Sequence, residues 1–182
     1  MKKPFQIACL GIGLLLSHNS FAAALQFGIT LPFLIKTKDP ENVHGYRAVV
    51  WYQPPAWMWK HWNIYLAAGA GHWWVPGASM HQSLNIFALA PVIRYYFAKT
   101  PRFSPYFEAS IGVSYLSKTR FVDRNLGEHF SFQDEVGIGT AYGDHQQWYA
   151  SLSALHYSNG SLSAMNAGIT VPLILNVGYH FG

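Results

Sequence analysis

The chain has 182 residues, one cysteine and a small positive charge, with 12 Lys and Arg against 8 Asp and Glu. Proteins that bind nucleic acid concentrate positive charge on one face, so this small, scattered excess argues against nucleic acid as a partner. Aromatic residues make up 16% of the chain, a large share that the predicted fold has to explain.

The first segment, residues 1–24, is predicted to be a secretory signal peptide. Lys2 and Lys3 form a basic start, residues 5–16 are apolar, and the alanines at 22–24 offer a cleavage site. Removing this leader also removes Cys9. The remaining residues, 25–182, are predicted to form one domain of about 160 residues without disulfides.

Alternating apolar and polar positions recur through this domain, and no segment of it approaches the roughly 18 apolar residues of a membrane-spanning helix. In residues 103–115, for example, Phe107 and Ile111 share one face while Glu108 and Ser110 share the other. We predict eight strands, at roughly 25–35, 44–53, 61–72, 83–97, 102–117, 129–143, 146–158 and 169–181. In the last strand the same alternation predicts that Ile169, Val171 and Leu175 lie on one face.

Long and short connections alternate between these strands, as do the outer loops and periplasmic turns of outer-membrane barrels. Tryptophans cluster near strand ends, as in the aromatic girdles of such barrels, at positions 57, 59, 62, 73 and 74. Phe181 also suits their aromatic C-terminus. We therefore predict an all-β fold, an eight-stranded antiparallel transmembrane β-barrel in the bacterial outer membrane. A soluble lipocalin-like barrel or sandwich would share the alternation and remains the alternative.

His156 and Ser158 lie near the end of the seventh predicted strand, two residues apart, so both side chains leave the same face. That face continues the apolar residues Trp148 and Leu152, and it therefore points towards lipid. A base beside a hydroxyl is the minimum arrangement for acyl transfer. The pair lies about ten residues above a periplasmic turn, near the outer headgroup boundary. The substrate expected there is a lipid, and in this leaflet lipopolysaccharide; two solvated polar side chains are the alternative.

The segment His156-Tyr157-Ser158-Asn159, followed by Asn166 and Gly168, resembles the lipid A 3-O-deacylase (PagL) family. The resemblance implies an eight-stranded barrel that is a carboxylic ester hydrolase without a cofactor. It would remove the 3-hydroxyacyl chain linked to the 3-position of lipid A. His156 would be the general base, Ser158 the nucleophile, and Asn166 and Asn159 the donors to the oxyanion. Both asparagines also favour turns on their own account.

One position departs from the family pattern. The family has a glutamate shortly after the Asn-x-Gly segment, and it orients the histidine. Here the segment continues with Thr170 between two apolar residues. A threonine accepts a hydrogen bond from an imidazole but cannot stabilise an imidazolium as a carboxylate would.

Asp134, on the sixth strand, is the candidate for the missing carboxylate. If residues 143–145 close a tight hairpin, Phe132 falls opposite His156 and Asp134 falls opposite Ala154. Asp134 would then share the lipid face with His156, where a lone charge costs up to about 2–4 kcal/mol and usually has a function. Two alternatives stay open: a β-bulge that turns Asp134 into the lumen, and a degraded triad with weak activity.

Other polar residues are predicted to be structural. Four charged residues are expected to pair inside the barrel: Arg47, Arg94, Glu108 and Glu135. Three cations in the third long loop could bind lipid A phosphates or be solvated: Lys118, Arg120 and Arg124. The histidines have no metal-ligand spacing, so no metal is expected. The main alternative is a non-enzymatic barrel with structural or adhesive loops, and a weaker alternative is an acyl hydrolase or acyltransferase that acts on phospholipid. The sequence also leaves open whether the barrel forms a homodimer.

Overall fold

The structure, a computed structural model, describes residues 22–35, 42–100 and 102–181. Its eight long strands are β1 Ala22–Thr30, β2 His44–Gln53, β3 Trp62–Trp74, β4 Ser83–Tyr96, β5 Phe103–Leu116, β6 Phe130–Tyr142, β7 Trp148–Ser158 and β8 Ile169–Phe181. Each strand pairs antiparallel with the next, and β1 also pairs with β8, so the sheet closes into a barrel. In the described ranges, no helix is long and apolar enough to cross a membrane.

The strand predictions are confirmed except at their ends. The largest difference is at β1, which begins three residues before the predicted start and ends at Thr30 rather than 35. Pro32 follows within two residues and has no N–H for a ladder, which accounts for the early end. Residues 1–21 of the predicted leader lie outside the described residues, and the leader stays a prediction.

The side chains of β5 show how the barrel divides its two surfaces. Ile111 is 69% exposed on the outer wall, with Phe107 and Val113 beside it, whereas Glu108 and Ser114 are buried inside. An apolar outer wall around a polar interior is the reverse of a soluble protein and is typical of a barrel in lipid. This distribution excludes the lipocalin-like alternative.

Two ion pairs fill the lumen, formed by the four charged residues for which pairing was predicted. Arg47 binds Glu135, with one hydrogen bond of 2.9 Å, and Arg94 binds Glu108 at 2.8 Å. The Arg94 guanidinium also lies over four aromatic rings, those of Trp51, Tyr65, Tyr106 and Tyr149. These side chains form a polar cluster inside the barrel, and a second, apolar cluster that includes Trp73, Leu155 and Ile169 is buried with it.

The two ends of the barrel differ. The loop end carries the four loops at residues 31–43, 75–82, 117–129 and 159–168, and the turn end carries the connections at 54–61, 97–102 and 143–147. The predicted difference in length does not hold for 54–61 and 75–82, which both have eight residues. Short elements lie in these connections: a 3₁₀ turn Pro55–Trp57 and the two-residue strands Met58–Trp59, Arg120–Phe121 and Arg124–Asn125. Outward aromatic rings pack at both ends, such as Trp148 on Tyr179 at 4.8 Å and His72 on Trp74 at 5.6 Å. This agrees with the predicted girdles.

The prediction for the face of Ile169 and Val171 is wrong. Ser153 pairs with Ile174 but Leu155 pairs with Val171, so one residue of β8 is in excess opposite β7. Such a β-bulge is favoured here by Pro172, which cannot donate to the ladder. Beyond the bulge the alternation reverses, and Ile169 and Val171 are fully buried in the barrel interior.

Candidate active site on the outer wall

The two candidate catalytic side chains lie on the outer wall, at the loop end. His156 is exposed and Ser158 is half-buried, whereas the residues between and beside them, Leu155, Tyr157 and Asn159, are buried in the barrel. The two side chains thus share the outward face. Within the described part of the chain they are not hydrogen bonded to each other. Catalytic hydrogen bonds are often formed only once substrate is bound.

The turn between β6 and β7 is longer than the predicted tight hairpin over 143–145. Tyr142 pairs with Trp148, and residues 143–147 form the connection. Gly143 has a φ of +98°, a conformation that a glycine adopts at little cost, and its carbonyl accepts a hydrogen bond from the amide of Gln146. The longer turn shifts the register of the two strands.

The predicted register, with Phe132 opposite His156 and Asp134 opposite Ala154, is therefore wrong by two residues. Phe132 lies opposite Ser158, and Asp134 lies directly opposite His156. The shift brings the carboxylate nearer to the imidazole than expected, since directly opposite residues have Cβ atoms about 4.5–5.5 Å apart. No hydrogen bond between Asp134 and His156 is present among the described residues.

Asp134 also lies on the outer wall. Its pairing with Ile111 on β5 and with His156 on β7 continues without a register shift, so the bulge that would turn it inward is absent from these two ladders. The next residue, Glu135, faces the lumen and binds Arg47. The wall beside His156 thus carries one outward carboxylate on β6.

Thr170 contacts the imidazole from the other side. It lies opposite His156 on β8, and its Oγ1 is 2.9 Å from Nδ1 of the histidine. The bulge at Pro172 makes this contact possible, because it reverses the alternation and turns Thr170 outward. The hydrogen-bond partner of the imidazole among the described residues is therefore a neutral hydroxyl.

The loop after Ser158 is built around Asn159. Its buried side-chain amide donates to the carbonyls of Leu126 and Met165, at 3.2 and 2.7 Å, and to the hydroxyl of Ser163. Its backbone N–H donates to Oδ1 of Asn166 at 3.0 Å. The side chain of Asn159 is thus occupied in the loop, whereas Nδ2 of Asn166 has no hydrogen-bond partner among the described residues.

The third long loop, residues 117–129, supports the fourth, residues 159–168. Arg124 donates to the carbonyls of Ala167 and Gly168, and Asn125 accepts from the amide of Ala167 at 3.2 Å. Lys118 likewise donates to a backbone carbonyl, that of Ser83. Two of the three loop cations that were candidates for lipid phosphates therefore bind the protein backbone.

Gly168 packs closely against the imidazole of His156. Its φ is +57°, and a Cβ at this position would lie 3.2 Å from Cε1 of His156. A small cavity of about 10 Å³, enough for one water molecule, is lined by Ser158, Asn166 and Gly168 together with buried residues such as Leu126 and Tyr157.

Two contributors to this site were not predicted. The bulge had a visible signal, because a proline inside a predicted strand favours one. The support of the fourth loop by Arg124 and Asn125 had none, because these contacts join segments more than forty residues apart.

Comparison with known proteins gives the class of this one. The crystal structure of the outer membrane enzyme PagL superposes with a TM-score of 0.70 and 26% identity, over 86% of this chain and 98% of that one. The lipid A deacylase PagL of Pseudomonas aeruginosa is 36% identical over 105 residues, which is 58% of each protein. That of Bordetella bronchiseptica is 27% identical over 136 residues, 70% of this chain and 72% of the relative. The chain is a small outer-membrane β-barrel.

A family model identifies the family to which the chain belongs. The model described as lipid A 3-O-deacylase (PagL) matches residues 44–180, which contain seven of the eight strands and both long loops of the site. The chain belongs to this family. The chain spans 58% of the length of the Pseudomonas aeruginosa relative.

Proposed function

We propose that the protein is a lipid A 3-O-deacylase, a serine esterase that hydrolyses the 3-linked 3-hydroxyacyl ester in the outer leaflet. The observation that carries the proposal is the position of His156 and Ser158, side by side on the lipid-facing wall at the loop end. A lipid ester at the outer headgroup boundary reaches this wall without entering the barrel. Membership of the PagL family supports the same substrate.

In the proposed reaction, Oγ of Ser158 attacks the ester carbonyl while Nε2 of His156 takes the hydroxyl proton. The C–O bond to the sugar then breaks, and the imidazolium returns the proton to the leaving sugar oxygen. Water, deprotonated by the same nitrogen, hydrolyses the acyl-enzyme. A 3-hydroxy fatty acid is released, and Ser158 regains its proton.

Asn166 is the proposed side-chain donor to the oxyanion. Its Oδ1 accepts the hydrogen bond from the backbone of Asn159, which leaves Nδ2 available, and Asn166 and Ser158 line the same small cavity. Preorganised donors of this kind stabilise the charge that develops on the carbonyl oxygen. For Asn159 we propose an indirect role, because its own amide is occupied by the loop.

Asp134 is proposed to stabilise the imidazolium through space. It lies directly opposite His156 without a hydrogen bond to it. Two opposite unit charges about 6 Å apart interact by roughly 3 kcal/mol at an effective dielectric of about 20, and by less where water screens them. Asp134→Asn is therefore expected to slow the reaction by about tenfold.

Mass spectrometry of lipid A from cells that express the protein tests this function. We expect loss of one 3-hydroxyacyl chain with the wild type, no loss with Ser158→Ala, and partial loss with Asp134→Asn. Unchanged lipid A with a folded, inserted wild type would favour the structural barrel. Fatty acid released from phospholipid would indicate a phospholipid acyl hydrolase instead.

A Gly168→Ala variant tests how tightly the fourth loop positions the histidine. The new methyl group would press on the imidazole at 3.2 Å, and small misplacements of catalytic groups cost up to about 10²-fold in rate. We expect at least a tenfold loss in kcat for lipid A. Gly77→Ala is the matched control, because Gly77 also has a positive φ but nothing within 4 Å. Equal activity of the two variants would contradict this role of the contact.

A further inference from the structure

We propose that Thr170 is the positioning residue for His156, and that it holds the imidazole in the orientation and tautomer that the reaction needs. This inference rests on the proposed function and concerns the same site. Its basis is the 2.9 Å contact between Nδ1 of His156 and Oγ1 of Thr170. Thr170 is the hydrogen-bond partner of this ring within the described ranges.

The contact is built by the backbone of β8. Directly opposite residues on neighbouring strands point to the same face of the sheet, and a register shift of one residue moves every side chain to the other face. Without the bulge, residue 170 would point into the lumen, as Ile169 and Val171 do. Pro172 favours a bulge in β8, opposite residues 153–155 of β7. This bulge places Thr170 on the outer wall, directly opposite His156.

The Thr170 hydroxyl can donate to Nδ1 or accept from it. We assign the second arrangement, in which Nδ1 carries the hydrogen, because it is the one that leaves Nε2 able to accept a proton. A hydrogen on Nδ1 donates to Oγ1 and leaves the lone pair on Nε2 free. That lone pair is what the reaction needs to take the proton of Ser158. When the ring becomes an imidazolium, the same Nδ1–H remains bonded to Oγ1, so Thr170 keeps the ring orientation through both protonation states.

The charges around the ring explain why a neutral partner suffices. Asp134 lies opposite His156 on β6, and Arg124 in the third loop donates to the carbonyls of Ala167 and Gly168. Orientation and charge stabilisation, which a glutamate would supply together, are thus divided between Thr170 on β8 and Asp134 on β6.

The first test measures kinetics on lipid A with purified Thr170 variants in detergent micelles. Thr170→Val, which keeps the shape and removes the oxygen, is expected to lower kcat about tenfold with KM within twofold of the wild type. Thr170→Ser should restore kcat to within about twofold. Thr170→Glu should raise kcat and move the acid limb of the kcat–pH profile to higher pH, since a carboxylate favours the imidazolium. An unchanged kcat and pH profile in Thr170→Val would overturn the proposal.

The second test does not depend on turnover. Nitrogen NMR of protein labelled in its histidines distinguishes the two tautomers, and His156→Gln identifies the signal. We expect the Nδ1–H form in the Ser158→Ala background and a mixture once Thr170→Val is added. An Nε2–H form with threonine present would overturn the inference even if the deacylase is confirmed. Absence of 3-hydroxy acid from the wild type would instead refute the proposed function.

Discussion

Replacing His156 with glutamine should lower kcat for lipid A deacylation by about 10³-fold. A positioned general base typically contributes about 10²–10⁴-fold to the rate. Among the described residues near His156, the carboxylate of Asp134 on the neighbouring strand is the one other candidate base. The barrel should still fold, because the imidazole is exposed and hydrogen bonds only with Thr170 among the described residues. Rates are measured on purified protein in micelles by quantifying the released 3-hydroxy fatty acid.

His72→Gln is the matched control for this variant. His72 also lies on the outer wall near the loop end, and its Nδ1 also contacts a side chain on the neighbouring strand, Oδ1 of Asn85 at 2.6 Å. It differs in lying on β3, on the opposite side of the barrel from β7. We expect wild-type kcat from His72→Gln. Equal rates for the two variants would mean that His156 is not the base.

The outward face of His156 and Ser158 was predictable because the period of two along a strand is a local property. The same alternation located the strands and separated the wall residue Ile111 from the lumen residue Glu108. Side-chain type and spacing thus contain enough information for the barrel and for the outward direction of both side chains.

The neighbours of the histidine were less predictable because they depend on register. One turn, at residues 143–147, decides that Asp134 and not Phe132 lies opposite His156. One bulge, at Pro172, decides that Thr170 points outward. Each is a change of one or two residues that leaves the apolar pattern of the rest of the strand intact, so periodicity alone does not detect it.

The largest effect on stability is expected from Arg47→Met. Arg47 binds Glu135 and also donates to Oδ1 of Asn176 at 2.9 Å, and its side chain is 7% exposed. Its removal leaves the carboxylate of Glu135 buried without its partner, which typically costs about 3–5 kcal/mol. Denaturant unfolding of the barrel in lipid vesicles, followed by tryptophan fluorescence, gives the free energy.

Two further variants separate the cost of an unpaired charge from the loss of an arginine. Arg102→Met removes an arginine whose ion pair with Asp144, at 3.4 Å, is almost fully exposed. Exposed ion pairs contribute about 0–1 kcal/mol to stability, so the free energy of unfolding of this variant should be close to that of the wild type. Adding Glu135→Leu to Arg47→Met removes the unpaired carboxylate and should recover most of the loss. If Arg47→Met cost no more than Arg102→Met, the lumen pair would not stabilise the barrel, and the polar interior would have to be held by the cluster around Arg94.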